Sequence, residues 1–356
     1  MNIYSFHGAS VKTLTARNAI PAEKKGRIVS GRVTIKSIAR DLGISHMTVS
    51  RALTGHPNVQ KATRDAVLRR AHELGYVRNA AARTMRGGRT RIVGLLLPNI
   101  VNEFYARFAN AMALACEDAS LQLIIHLTGD DPETETMALA RLSEIQADGV
   151  VMVPAPGAPL PGQPATANMT VVHLIRTRDT PPPDFSVQIE DDKAIAGAVA
   201  HLVAKGHSRI AYVGADQALS SGRARATAFQ KGIRAANLPD TPELIFTCDA
   251  TLDGAYSQVM RLLETEAATA LVCGGFELSS GALKALMDRN ALRGKGFGFV
   301  GYGDPSFYSW IGNGLSTVAV PVEPLARRAV GLLADPDQPP DRKSHRFPAT
   351  LRIRGQ

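Results

Sequence analysis

The 356-residue chain is short of several features that would place it in large functional classes. It has three cysteines, Cys116, Cys248 and Cys273, odd in number and far apart. They fit buried thiols in a reducing cytoplasm better than a disulfide framework or a zinc site. No run of about 18 apolar residues occurs, which excludes a transmembrane helix and membrane attachment through one. The N-terminus has no charged stretch followed by an apolar run, so no signal peptide is expected. G-x-S-x-G, H-E-x-x-H and P-loop patterns are missing and the histidines are scattered, so neither catalysis nor a cofactor is expected. Gly296-Phe-Gly-Phe-Val-Gly301 matches G-x-G-x-x-G, but inside a strand pattern with no helix after it, which is the wrong context for a dinucleotide. Glu190-Asp191-Asp192 reads as acids favoured by a helix start rather than as metal ligands.

Acid is scarcest near the start. Residues 1–91 hold 18 Lys and Arg against 4 Asp and Glu, a charge of +14, while the remainder carries −5. A basic head on a mildly acidic body is the electrostatic footprint of a nucleic-acid-binding module joined to something else. Its phosphate-driven affinity should fall steeply with salt.

Within that head, Thr34 to Leu53 spells two helices and a tight turn. Ile35, Ile38, Ala39 and Leu42 form one apolar helix face. Gly43 stops the helix, Ile44 plugs the corner and Ser45 caps the next helix. Val49 and Leu53 then face the first helix, leaving His46, Met47, Ser50 and Arg51 outward, as a helix entering a major groove requires. An ordinary helical hairpin would show the same apolar spacing, and charge argues against it. Thr54 to Asn58 is a loop. Thr63 is expected to cap a third helix with Val67, Ala71 and Leu74 inside and Gly75 at its end, giving a three-helix head over 33–77. Residues 1–32 lack periodicity and read as a disordered basic arm, a passive tail or a start codon placed too early. Residues 78–90 are short, Ala-rich and basic: a linker, or a helix that forms only on its target.

From Arg91 the pattern turns to α/β alternation. Strands are expected at 92–97, 121–127, 149–153, 171–175, 209–213, 244–246, 270–273 and 297–301. Helices are expected at 104–118, 133–146, 194–205, 223–236, 254–264 and 279–289. Pro154 to Pro164 reads as a surface loop, and His207 as a structural residue in the turn before a strand. Two runs of β-α-β imply two doubly wound parallel sheets, with the ligand cleft at the carboxyl ends of the strands.

The chain resembles the lactose-repressor/galactose-repressor (LacI/GalR) family of bacterial transcription regulators from about Val33 onward. The likeness rests on V-T-I-K-S-I-A-R-D-L-G-I-S-x-x-T-V-S-R-A-L, on Glu73-Leu-Gly-Tyr-Val-Arg-Asn79 followed by Ala82-Arg83, and on the body. There the matching segments are Gly206-His-Ser-Arg-Ile-Ala-Tyr-Val-Gly214, Arg225-Ala-Thr-Ala-Phe229, Val300-Gly-Tyr-Gly-Asp304 and Leu315-Ser-Thr-Val318. The resemblance implies an α/β protein with a helix-turn-helix head and a two-lobe body of periplasmic-binding-protein type. It places lobe 1 at about 91–189 and 319–334, and lobe 2 at about 190–318 and 335–356.

The resemblance also implies site residues. His46, Met47 and Arg51 would read bases, and Thr34, Ser45, Thr48 and Ser50 would bind phosphates or cap helices. Asn79, Ala82, Arg83 and Met85 would form a minor-groove hinge, with Met85 where the family usually places a leucine wedge and Arg78 where it usually has proline. Effector contacts would come from Phe104, Tyr105, Ser221, Arg225, Phe276 and Asp304. Many relatives have aspartate at position 303 and Asn-Asp at 275–276; here Gly303 and Gly275-Phe276 stand there. The Gly-Tyr-Gly-Asp form resembles members that respond to sugar acids such as gluconate.

The expectation is a homodimeric repressor on a pseudo-palindromic DNA operator, nucleoid-associated in the cytoplasm and released or engaged by a sugar or sugar acid. No metal is expected. No leucine heptad precedes Gln356, so a tetramer through a C-terminal coiled coil is not expected. A solute-binding protein of a sugar transporter shares the two-lobe body, and a sugar-modifying enzyme on the same fold is the remaining alternative.

Overall fold

The computed structural model describes residues 33–76, 89–157, 166–178, 183–292, 296–334 and 343–355. The chain divides into two compact units, 1–80 and 81–356, each considered by itself.

The head holds α1 (Ile35–Leu42), α2 (His46–Leu53) and α3 (Lys61–Glu73). Thr34 and Ser37 form a reciprocal capping box at the start of α1. Gly43 ends it at φ +64, a left-handed conformation that glycine adopts without a Cβ penalty. Ile38, Ala39, Val49, Ala52, Val59, Val67 and Ala71 are buried together, and Ile35, Leu42, Ile44, Leu53 and Leu74 pack around them. α3 begins three residues earlier than its sequence suggests. Gln60 is its N-cap residue and gives no side-chain cap, so Thr63 lies inside the first turn.

The body contains two six-stranded sheets wound in the same order. The first runs β11-β5-β4-β3-β1-β2, from β1 (Ile92–Leu97), β2 (Gln122–Leu127), β3 (Gly149–Met152), β4 (Thr170–Leu174), β5 (Phe185–Glu190) and β11 (Ser344–Pro348). The second runs β12-β10-β9-β8-β6-β7, from β6 (Ile210–Ala215), β7 (Ile245–Cys248), β8 (Ala270–Cys273), β9 (Gly298–Gly303), β10 (Ser316–Ala319) and β12 (Thr350–Arg352). Among the described strands, only the β10–β12 pair is antiparallel. Strands such as β1 are apolar throughout because helices cover both faces.

The helices are α4 (Glu103–Asp118), α5 (Pro132–Glu144), α6 (Asp192–Ala204), α7 (Ser220–Ala235), α8 (Leu252–Glu264), α9 (Phe276–Asp288) and α10 (Val322–Ala334). α4 packs on α10, α6 on α7 and α8 on α9. The chain passes between lobes at 190–191, 319–322 and 349.

Three sequence expectations change here. Strand β11 pairs with β5, so 344–348 belongs to the first lobe although 335–356 was assigned to the second. Strands β5, β10, β11 and β12 and helix α10 have no counterpart among the expected elements. Pro154 and Ala155 are buried rather than in a surface loop. Glu135, itself buried, explains this: its carboxylate accepts the Ala155 N–H at 2.6 Å, and Arg178 pairs with it. All three cysteines are free; Cys116 and Cys273 are buried, Cys248 half-buried. Burial pushes the Cys116 thiol up to about 11, as expected of a structural thiol.

Candidate recognition helix and effector cleft

On the head, Ser45 is the N-cap of α2. Its hydroxyl accepts the Thr48 N–H at 3.0 Å and meets the Thr48 hydroxyl at 2.9 Å. Thr34 caps α1 in the same way, accepting the Ser37 N–H at 3.3 Å. These residues therefore have a structural duty at the surface. His46 and Arg51 are exposed and Met47 is 56% exposed, all on one side of α2. Among the described residues, none of the three side chains has a polar partner in the protein. Asp41 and Glu73, by contrast, are both paired to Arg70, at 2.7 and 3.0 Å. These two acids are thus neutralised while Arg51 stays open. Asn79, Ala82, Arg83 and Met85, with Arg78, lie outside the described residues.

In the body, the carboxyl ends of the strands converge on one cleft, as doubly wound folds dictate. It encloses a cavity of about 70 Å³ lined by Phe104, Tyr105, Arg176, Ser221, Arg225, Phe276 and Tyr302, among others. Arg225 is at its centre. It is 8% exposed, donates from Nε to Asp191 Oδ2 at 2.9 Å and from Nη1 to the Gly274 carbonyl at 3.0 Å. Its guanidinium carbon lies 4.2 Å from the centroid of the Tyr302 ring, a cation–π contact. The Tyr302 hydroxyl donates to the other Asp191 oxygen at 2.6 Å. Burial works against the Arg225 charge, yet the Asp191 carboxylate, with the Tyr302 and Tyr212 oxygens, more than offsets it and holds the guanidinium protonated. Burial also pushes the Tyr105 phenol up to about 12, so it stays a neutral hydroxyl.

Phe276, at the start of α9, lies between the two lobes. Its ring centroid is 5.3 Å from Phe104 of the first lobe and 5.9 Å from Tyr302 of the second. A Cβ at Gly303 would come within 2.3 Å of that ring. The two departures at 276 and 303 are therefore one spatial exchange, with an aromatic ring filling the room that a side chain at 303 would need.

Two expectations fail. Asp304 does not face the cleft. Gly303 and Asp304 turn the chain at φ +122 and +72, and the carboxylate goes to Arg352 at 2.5 Å and Arg354 at 2.6 Å. Asp191 is more than a favourable acid at a helix start. It gives α6 no side-chain cap and spends both oxygens on Arg225 and Tyr302. Phe104, Tyr105, Ser221, Arg225 and Phe276 do come together. The sequence reading missed Asp191, Tyr302 and Arg176. The only sequence signal for Asp191 was its place in an acidic run before a helix. His207 behaves as expected, its Nδ1 lying 3.1 Å from the Thr269 hydroxyl.

Comparison with known proteins agrees with this architecture. Residues 34–79 match the family described as bacterial regulatory proteins, lacI family, and residues 199–355 match the periplasmic binding protein-like domain. Catabolite control protein A of Priestia megaterium is 27% identical over 316 residues, covering 85% of this chain and 91% of that protein. The sucrose operon repressor of Klebsiella pneumoniae is 26% identical over 336 residues, covering 91% and 98%. The crystal structure of the lac repressor dimer bound to operator and the anti-inducer ONPF superposes with a TM-score of 0.80 at 21% identity, covering 91% of this chain and 98% of that one.

Proposed function

Because the chain belongs to the LacI/GalR family of bacterial transcription regulators, we propose that α2 reads operator bases through His46, Met47 and Arg51 and that the cleft around Arg225 binds the controlling effector. The protein is a DNA-binding transcriptional repressor and not an enzyme. The lacI-family head separates it from a solute-binding protein, which would share only the body.

The observation that carries the residue assignment is the open face of α2. A capped helix presents an arginine, a histidine and an exposed methionine with no polar partner among the described residues. Arg51 can make a bidentate contact to guanine, worth about 1–3 kcal/mol of discrimination. Thr48 and Ser50 flank these residues and contact phosphates, alongside the capping residues Thr34 and Ser45. Asn79, Ala82, Arg83 and Met85 form the hinge, folding on DNA when two chains pair as a homodimer in the cytoplasm.

In the cleft, Phe104, Tyr105 and Phe276 supply apolar walls while Ser221 and Arg225 supply polar contacts for a sugar or sugar acid. An effector that favours one pose of the lobes shifts operator affinity by the difference, commonly about 1–3 kcal/mol.

The test is selection of bound sequences from a random DNA pool by the full-length protein, followed by anisotropy titrations at several salt concentrations. A pseudo-palindromic site, with Arg51→Ala relaxing specificity at one position per half-site, is the expected outcome. Uniform weakening across all sequences by Arg51→Ala would remove the base-reading assignment.

A further inference from the structure

Arg176 is a buried charge in the cleft without an assigned role. It follows β4, after Ile175, whose φ of +65 is rare for a β-branched residue. The Arg176 N–H closes a three-residue turn onto the Leu174 carbonyl at 2.7 Å, while the Ile175 N–H is held by Val187 at 2.8 Å. Such a γ-turn is strained and is kept only where its surroundings enforce it. Here it accompanies the placing of Arg176, 6% exposed, at the cleft lining. Nε donates to the Pro154 carbonyl at 2.7 Å and Nη2 pairs with Asp130. Among the described residues no acceptor meets Nη1.

Arg225 is in the same position on the other lobe, with Nη2 left over after Asp191 and Gly274. Both arginines and Tyr105 line the same cavity. The first turn of α7 adds donors there. Its N-cap residue, Leu219, has no side chain to cap it, and the Thr177 N–H reaches across to the Ser220 hydroxyl at 2.9 Å. Asp191 has no oxygen to spare. Asp130 is different: its side chain is 37% exposed, so it can be released to water.

We propose that Arg176 and Arg225 form a two-armed clamp for one carboxylate of the effector, with Arg176 the residue that selects hydroxylated carboxylates over neutral sugars. This rests on the reading that the cleft is the effector site. A planar carboxylate offers one oxygen to each arm, one arm from each lobe, and displaces Asp130 from Arg176. A neutral sugar cannot replace that charge. Phe104 and Phe276 cover the C–H face of the carbon chain, and Glu277, half-buried in the same lining, accepts a hydroxyl.

The test is calorimetric titration of full-length protein with D-gluconate and D-glucose, together with two five-carbon aldonates. Wild type should bind at least one aldonate roughly tenfold or more tightly than glucose. Arg176→Gln should lose about tenfold for that aldonate and nothing for glucose, and Asp130→Asn should tighten it. Equal weakening of both ligand classes by Arg176→Gln, a preference for glucose, or no aldonate binding would overturn the clamp. Ser221→Phe fills the cleft. Aldonate binding that survives Ser221→Phe would remove the underlying cleft reading and the clamp with it. Binding abolished by Ser221→Phe yet indifferent to Arg176→Gln would remove the clamp alone.

Discussion

On the head, Arg51, His46 and Met47 stand outside α2 with no polar partner among the described residues, whereas in the cleft Arg225 is buried and engaged by Asp191, Gly274 and Tyr302. The difference follows from solvent. An exposed donor is satisfied by water until DNA replaces it, so leaving it open costs the fold almost nothing. A buried donor must find its acceptor within the protein. Exposed head residues such as Arg51 should therefore act on binding with little effect on stability. Cleft residues should affect both, because each belongs to a network of mutual partners.

The largest expected effect breaks the cleft network. Arg225→Ala leaves Asp191 as a buried charge held only by the Tyr302 hydroxyl, and should cost the body about 3–5 kcal/mol. Arg225→Met combined with Asp191→Leu removes both charges and should recover most of that loss. Urea unfolding followed by circular dichroism measures both variants. A loss below about 1 kcal/mol for Arg225→Ala would mean that water already reaches the pair, and the contrast with the head would collapse.

Next comes pH. His173 on β4 is 3% exposed, its Nδ1 has no partner, and burial, helped by the Arg178 charge, pushes its pKa down to about 4. The unfolded imidazole takes up a proton near 6.5, but the folded one does so only near 4. Between these values the unfolded chain binds more protons, so body stability falls as pH drops through the window, by about 3 kcal/mol in full. His173→Leu should flatten that limb of the stability curve. An unchanged slope in His173→Leu would assign the acid sensitivity to other groups.

A smaller effect tests the exchange between positions 276 and 303. Gly303→Asp drives a Cβ into the Phe276 ring at φ +122 and should destabilise the body by about 1–3 kcal/mol. Phe276→Ala in the same chain should relieve the steric part, so the two changes should be non-additive. Additivity within about 0.5 kcal/mol would show that the two positions changed independently.

The same contrast explains what the sequence made legible. The determinants of the head's helix boundaries and apolar faces are local. The Thr34 and Ser45 caps act three residues away, Gly43 ends a helix that begins eight residues before it, and the buried positions repeat at helical spacing. Thr63 was misplaced because a capping-type residue in the first turn looks the same in sequence as one at the boundary. The cleft depends on distant pairs. Asp191 meets Arg225 across 34 residues of chain and Tyr302 across 111, distances at which no periodicity carries information. Asp304 was misassigned for the same reason, since Arg352 and Arg354 reach it from the last strand, 48 and 50 residues on. Strands β10 and β12 are four and three residues long, too short to show a pattern before their partners are known.

The smallest effect sharpens the contrast within the head itself. Ser45 and Arg51 lie six residues apart on or beside α2, both exposed and both assigned to the DNA-facing surface. Ser45 also satisfies the Thr48 N–H, so Ser45→Ala should cost about 1 kcal/mol of head stability. The Arg51 side chain bonds to nothing among the described residues, so Arg51→Ala should change stability by less than about 0.5 kcal/mol while losing operator discrimination. Thermal unfolding of the full chain, fitted for the head, reads the first quantity, and anisotropy on the selected operator reads the second. Equal stability losses for the two variants would show that Arg51 is held by the fold after all, and the open face of α2 would lose its reading as a surface kept free for DNA.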